Sequence, residues 1–256
     1  MAQYARPAIT RGVYLEQNLY APVPLDLVFH DETGAAVPLR TYFGEKPVVL
    51  EMVYFTCTSL CPMSMHESVA SLKRLTLVPG LDYNVVVVSF DPKDTPQVAA
   101  QKKAEYAKQF GRSGFNSGFH FLTGSQDSIS KLASAVGFEY RYDDATKQFI
   151  HAAGIMVATP EGKMARYFYG TDYSPTDLRM ALLDASQHKI SSPVDYVLQF
   201  CYHYDPTQGK YTLAILNVLK IAGGLTVVML AGLLFLLMRT DKRPEKKVWK
   251  EARHVS

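Results

Sequence analysis

Residues 53–62 read Val-Tyr-Phe-Thr-Cys-Thr-Ser-Leu-Cys-Pro and carry Cys57 and Cys61, two of the three cysteines in the chain. The residues leading into this segment, 48–55, are apolar except for Glu51, the composition of a buried strand. The residues from Cys61 to about 75 read as a helix. A strand therefore delivers two thiols to a helix start. Disulfide exchange normally uses a two-residue spacer between such cysteines. Here the spacer has three residues, which moves the expected chemistry toward metal binding.

Working outward, residues 25–29 and 37–39 read as a small hairpin turning at Gly34. Residues 85–90 contain four consecutive valines, which suit a strand of a parallel sheet covered on both faces. Asp91-Pro-Lys-Asp-Thr-Pro96 is a loop opening a helix that runs to about Phe110. A short strand at 119–122, a helix at 125–136 and strands at 138–142, 153–158 and 164–168 follow. A helix from Ser174-Pro175 to about His188 closes the series. Strands alternating with helices, then a β-hairpin and a last helix, predict an α/β sandwich of thioredoxin type over 21–190. An irregular arm at 1–20 precedes it, and a juxtamembrane linker at 191–210 follows.

The 256-residue chain has a formal charge of +3, which is unevenly divided. Residues 239–256 hold seven Lys/Arg against three Asp/Glu, leaving 20 basic and 21 acidic residues elsewhere. Nothing in that distribution points to nucleic acid. The basic tail follows the uncharged run 221–238, about 27 Å long as a helix and close to the thickness of a bilayer core. Taken back to Tyr211, with Lys220 the one charged interruption, the sequence predicts a single C-terminal transmembrane helix over 211–239. Arg239, Lys242, Arg243, Lys246 and Lys247 then place the tail, 240–256, in the cytoplasm and the preceding domain outside the cell membrane, in the periplasm of a bacterium. Residues 1–20 lack an apolar core of the length that a secretory signal needs, so export is expected to depend on a removed leader, an earlier start or a partner.

Thiolates are soft ligands that favour Cu(I), and a helix N-terminus is expected to lower thiol pKa values. An imidazole would complete a set of two sulfurs and one nitrogen able to hold both Cu(I) and Cu(II). The candidate is His151, just before the apolar segment Ala152-Ala-Gly-Ile-Met-Val-Ala158. His66 lies one turn beyond Cys61, while His30, His120, His188 and His254 have no thiol neighbour in sequence. Met63 and Met65 are soft groups that either assist copper transfer or pack into the core. Cys201, in Phe200-Cys-Tyr-His-Tyr-Asp-Pro206 with His203 and Asp205, reads first as a packing residue and second as an accessory copper site.

The strand-Cys-x-x-x-Cys-Pro-helix segment, Ser89-Phe-Asp-Pro-Lys-Asp-Thr-Pro96, and His151 before Gly-Ile-Met-Val together resemble the Sco/SenC family of copper-binding thioredoxin-fold proteins. The resemblance covers roughly residues 22–189. It implies that Cys57, Cys61 and His151 bind copper. It also implies a role in maturing the copper A centre of cytochrome c oxidase, whose copper A-bearing subunit would be the partner. Asp91 is carried over as a residue near the metal, its other reading being a cap for the next helix. Thr58 replaces a usual proline, Ser59 and Leu60 stand where an acidic residue is often found, and the anchor is C-terminal rather than N-terminal.

Three functions compete. The first is a membrane-tethered copper chaperone. The second is a thiol–disulfide oxidoreductase acting on oxidase cysteines through the same, redox-active pair. The third is a structural subunit of a respiratory complex. The three-residue spacer and Ala153-Gly154, in place of a proline before the facing strand, favour metal binding over redox turnover.

Overall fold

Two buried segments, with only Asn84 part-exposed, form the centre of the sheet. β4 (Val48–Val53) and β5 (Asn84–Ser89) pair in parallel from Val48↔Asn84 to Val53↔Ser89. β-Branched side chains pack well on a pleated surface, and the valines of both strands are 2% exposed or less. The computed structural model describes residues 13–57, 60–190, 204–205, 210–211 and 213–240. Cys201, His203, His254, Thr58 and Ser59 lie outside them. The chain divides into two compact units, residues 1–191 and 192–256.

In the first unit β4 and β5 lie within a five-stranded sheet of order β10-β9-β4-β5-β6. β6 (Phe119–Leu122) is parallel to β5, β9 (Gly154–Ala158) is antiparallel to β4, and β10 (Met164–Tyr169) is antiparallel to β9. The connections are α1 (Leu60–Lys73) between β4 and β5, then α2 (Pro96–Phe110) and the single turn α3 (Phe115–Gly118) before β6. α4 (Gln126–Ala135) follows β6, and α5 (Pro175–Ser186) closes the unit. Crossovers stepping in one direction along a sheet place their helices on one face, and α1 packs against both α2 and α5. The α2 N-terminus is Thr95, whose hydroxyl accepts from Val98 N–H, followed by Pro96. The C-terminus is closed by Gly111 at φ 60°, a left-handed position that favours glycine. This is the α/β sandwich of thioredoxin type.

The hairpin near the start is β2 (Val28–His30) with β3 (Ala36–Pro38), offset slightly from expectation. Two strands of the first unit lie where none was expected. β1 (Tyr14–Leu15), inside the supposed arm, pairs with β7 (Phe138–Asp143). β8 (Gln148–His151) pairs antiparallel with β7, setting His151 opposite Tyr140. The hairpin between them turns at the polar stretch 144–147, where the alternation that marks a strand is missing.

The second unit holds a two-residue pair, β11 (Tyr204–Asp205) with β12 (Lys210–Tyr211), and α6 (Leu213–Thr240). Among the described residues no helix is long and apolar enough to cross a membrane. The apolar side chains of α6 that are described run from 223 to 238, fewer than the roughly 20 residues of a span. The transmembrane helix expected at 211–239 is not carried by them.

The interface between β4 and α1 is polar at one point. Glu51 is 1% exposed, and Oε1 accepts from Ser64 Oγ at 3.0 Å while Oε2 accepts from Ser68 Oγ at 2.8 Å. Burial pushes its pKa up to about 7, against the lowering effect of the two hydroxyl donors. The unfolded chain ionises this carboxyl near 4.5, so the fold loses stability as pH rises from there to about 7. The loss is about 3 kcal/mol above that range. Glu51→Gln keeps the shape and stays neutral. Urea unfolding followed by circular dichroism is expected to show Glu51→Gln more stable than the parent by about 3 kcal/mol at pH 8, with the difference vanishing below about pH 4.

Candidate metal centre

At the end of β4 the chain leaves the sheet through a turn in which Cys57 N–H donates to Tyr54 O at 3.2 Å. Because β4 and β5 are in parallel register, the loop after β5 lies beside this turn. Asp94, from that loop, is buried, and its Oδ2 accepts from Phe55 N–H and from Ser89 Oγ, both at 2.6 Å. One carboxylate oxygen thus fixes the segment that presents Cys57. Oδ1 of Asp94 has no hydrogen-bond partner among the described residues.

Cys57 and Cys61 are free thiols, 6% and 3% exposed. Cys61 Sγ lies 3.1 Å from His151 Nε2. His151 Nδ1 is 2.9 Å from the carbonyl oxygen of Ala152. A carbonyl only accepts, so Nδ1 carries the hydrogen and Nε2 presents a lone pair to the sulfur. A ligand atom from each of Cys57, Cys61 and His151 lies within 4.8 Å of the others. Ninety residues separate Cys61 from His151, and the β7–β8 hairpin closes that distance.

The surroundings are dry. The His151 ring sits among Phe90, Tyr54 and Phe138, with centroids 5.1, 5.9 and 6.2 Å away. A cleft reaches the pair, lined by Tyr54, Cys57, Cys61, Met65, Lys102 and Tyr106 among others. Burial raises the Tyr54 hydroxyl well above its ordinary range, helped by its hydrogen bond with Cys57. The Cys61 thiol is also pushed up, first by its hydrogen bond with Cys57 and then by burial. For Cys61 this is opposite to the acidification expected at a helix N-terminus: burial and the neighbouring thiol outweigh the dipole. Two sulfurs with one imidazole nitrogen are a donor set that fits copper.

The remaining candidates are placed as follows. Asp91 is buried, with Oδ1 accepting from Lys93 N–H at 2.9 Å, and the cap of α2 is Thr95 rather than Asp91. Met65 is 3% exposed and packs in the core, whereas Met63 is 51% exposed. His66 is exposed, its Nδ1 2.6 Å from Gln109 Oε1. His120 stacks on Tyr42 with centroids 4.3 Å apart, and His188 pairs with Glu161. Sequence reasoning missed Asp94 as the group that holds the Cys57 turn. Its signal was available, since the loop Asp91-Pro-Lys-Asp-Thr-Pro96 offers two acidic residues.

The SCO1/SenC family model matches residues 22–185, and the chain belongs to that family. It is 24% identical over 152 residues to the SCO1 protein homolog of Bacillus subtilis (strain 168), covering 58% of this chain and 75% of that protein. Among solved structures it is similar to a candidate electron transfer protein from Aquifex aeolicus VF5. That match has 26% identity and a TM-score of 0.58, and covers 67% of this chain and 96% of the other. It is also similar in fold to ScoI of Arabidopsis thaliana with copper bound, at 21% identity and a TM-score of 0.51, covering 63% and 96%.

Asp94→Ala removes the acceptor of Phe55 N–H and Ser89 Oγ, leaving two buried donors unsatisfied. The expected cost is about 1–3 kcal/mol of stability. Cu(I) affinity, measured by competition with a chelator, is expected to fall roughly 10–100-fold. Asp94→Asn, which keeps one carbonyl acceptor, is expected to retain most of both.

Proposed function

We propose that the chain is a membrane-tethered copper chaperone. It holds one copper ion on Cys57 Sγ, Cys61 Sγ and His151 Nε2 and serves the copper A-bearing subunit of a haem-copper oxidase. The observation that carries this reading is the convergence of two thiols and one imidazole lone pair within 4.8 Å in a buried setting. Family membership agrees with it, as does the similarity in fold to ScoI with copper bound. A buried site of two sulfurs and one nitrogen suits Cu(I), and the imidazole makes Cu(II) acceptable. The aromatic wall behind His151 keeps water from the ion. The cleft beside the cysteine pair offers the sulfurs to the thiols of a partner, so release proceeds by ligand exchange. Asp94 holds the Cys57 turn, while Asp91, on the same loop, is the weaker candidate for a residue near the metal.

The second reading, thiol–disulfide exchange, is supported by the hydrogen bond between the two free thiols. The chaperone reading is preferred because three ligand atoms converge within 4.8 Å and the cysteine spacer has three residues rather than the two usual for that exchange.

In this reading the chain is laid out as an arm at 1–20, the copper domain at 21–190, a linker at 191–210, a membrane helix at 211–239 and a cytoplasmic basic tail at 240–256. The supports for the anchor are the uncharged run 221–238, the exposed apolar side chains of α6 and the basic flank. The domain then lies outside the cytoplasmic membrane, where the copper A subunit of an oxidase would meet it.

The reduced chain is expected to bind one copper, with thiolate-to-copper charge transfer on oxidation to Cu(II). Both signals are expected to be lost in Cys57→Ser and Cys61→Ser, whereas His151→Ala is expected to keep Cu(I) on its two sulfurs and to lose the Cu(II) charge transfer. Turnover of a disulfide substrate without copper binding would establish the second reading instead. The full chain is expected to stay with membranes through alkaline carbonate extraction, and a chain ending at residue 190 to be released. Extraction of the full chain would overturn the anchor.

A further inference from the structure

His66 is exposed on α1, and a single residue of α2 holds it in place. Gln109 Nε2 donates to the His66 carbonyl oxygen at 3.0 Å, and Gln109 Oε1 lies 2.6 Å from His66 Nδ1. The first bond orients the amide, because a backbone carbonyl accepts only from its nitrogen. The second then fixes the ring: Oε1 is an acceptor, so Nδ1 carries the hydrogen and Nε2 is left as a lone pair. No hydrogen bond among the described residues reaches that lone pair. His151 adopts the same tautomer in the interior, set there too by an acceptor on Nδ1.

The neighbour of His66 on the helix surface is a thioether. Met63 precedes it by three residues, a spacing that brings Cβ atoms to about 5–6 Å on a helix. Met63 is 51% exposed, whereas Met65 is buried. A thioether is soft and an imidazole suits copper, so the two together favour Cu(I) over hard divalent cations. Glu67, four residues from Met63, offers only hard oxygens, which suit those other ions.

The pair borders the cleft that leads to the cysteines. Pro62 and Tyr106 line that cleft together with Cys57 and Cys61. Pro62 lies one helix turn before His66 on the same face of α1. The Tyr106 ring of α2 packs edge-on against the His66 ring, with centroids 5.3 Å apart. His66 is therefore flanked from both helices by residues of the cleft wall. Met65 adds a second thioether side chain to that wall.

We propose that Met63 Sδ and His66 Nε2 form a second, weaker Cu(I) site at the mouth of the cleft, from which the ion passes to Cys57, Cys61 and His151. The proposal rests on the copper reading above for the destination of the ion. In the transfer the bonds from Cu(I) to Met63 and His66 break as bonds to the inner ligands form. The ion keeps its oxidation state, no electron is exchanged, and the displaced thiol protons go to solvent. A thiolate attracts the cation through its charge, which a thioether and a neutral imidazole lack, so the ion moves inward. The sequence shows Met63 and His66 as separate candidates. Only the packing of α1 on α2 shows Gln109 fixing the ring beside the cleft.

The test follows methionine methyl and histidine ring resonances by NMR while Cu(I) is added to the reduced full chain at pH 8. The first equivalent is expected to settle at the inner site and the second to shift the Met63 methyl and His66 ring signals. Met63→Leu and His66→Ala are each expected to lose the second step and keep the first. Loading from a Cu(I)–chelator complex, followed by stopped flow, is expected to be slower in both, with the affinity of the inner site unchanged. Gln109→Ala keeps both ligands but frees the ring, and is expected to weaken the second step. Met180 is the internal control, since it is 46% exposed and has no histidine three or four residues away. Movement of Met180 equal to that of Met63 marks adventitious binding and overturns the proposal. So do unmoved Met63 and His66 signals at two equivalents, or loading of both variants at the parent's rate, and each of these leaves the inner site standing. Copper on Met63 and His66 with the cysteines empty overturns the reading of the cysteine pair and the transfer with it. Both substitutions lie at exposed positions, and the resonances of the parent decide the matter if a variant does not fold.

Discussion

The hydrogen bond from His151 Nδ1 to the carbonyl of Ala152 decides what this site can be. It commits the ring to one tautomer and leaves Nε2 as a lone pair 3.1 Å from the Cys61 sulfur. The opposite tautomer would have turned a donor toward the thiol in place of a lone pair. The bond holds because the β7–β8 hairpin ends at His151 and because Phe90, Tyr54 and Phe138 wall the ring. The two sulfurs are fixed independently, by a turn at the end of a strand and by the first turn of a helix. The site is the meeting of two constructions far apart in sequence.

Two buried carboxyl groups support it from different sides. Asp94 accepts the backbone donor of Phe55 and the hydroxyl of Ser89, and so ties the Cys57 turn to the loop after β5. Glu51 lies beneath α1, held by serines where a helix of this pattern would ordinarily carry aliphatic side chains. The first stabilises geometry as an acceptor. The second costs the fold stability above pH 7 and sits in a strand otherwise made of valine, leucine and methionine.

Much of this was legible in the sequence. The apolar run before Cys57, the valine run at 85–88 and the caps at Thr95, Ser125 and Ser174 each carry a local physical signal, and the α/β order follows from them. Cys57 and Cys61 announce themselves by spacing, and His151 by its position before an apolar strand. What could not be read has a common cause. β1 is two residues long and is held only by pairing with β7, and β8 follows a polar hairpin turn, so neither has a periodicity of its own. Asp94 and Asp91 share one loop, and only the parallel register of β4 and β5 selects Asp94 as the acceptor of Phe55. The raised Cys61 thiol depends on burial and on Cys57 beside it, and no one-dimensional pattern reports either. For α6 the sequence speaks through its apolar run and basic flank, while the described residues cover only part of that run.

The most direct measurement is X-ray absorption fine structure at the copper edge of the loaded, reduced chain, paired with His151→Ala. The account requires two sulfur scatterers and one nitrogen scatterer in the parent, with the nitrogen shell lost in the variant. A sulfur-only shell in the parent, or a nitrogen shell that survives removal of His151, would contradict it.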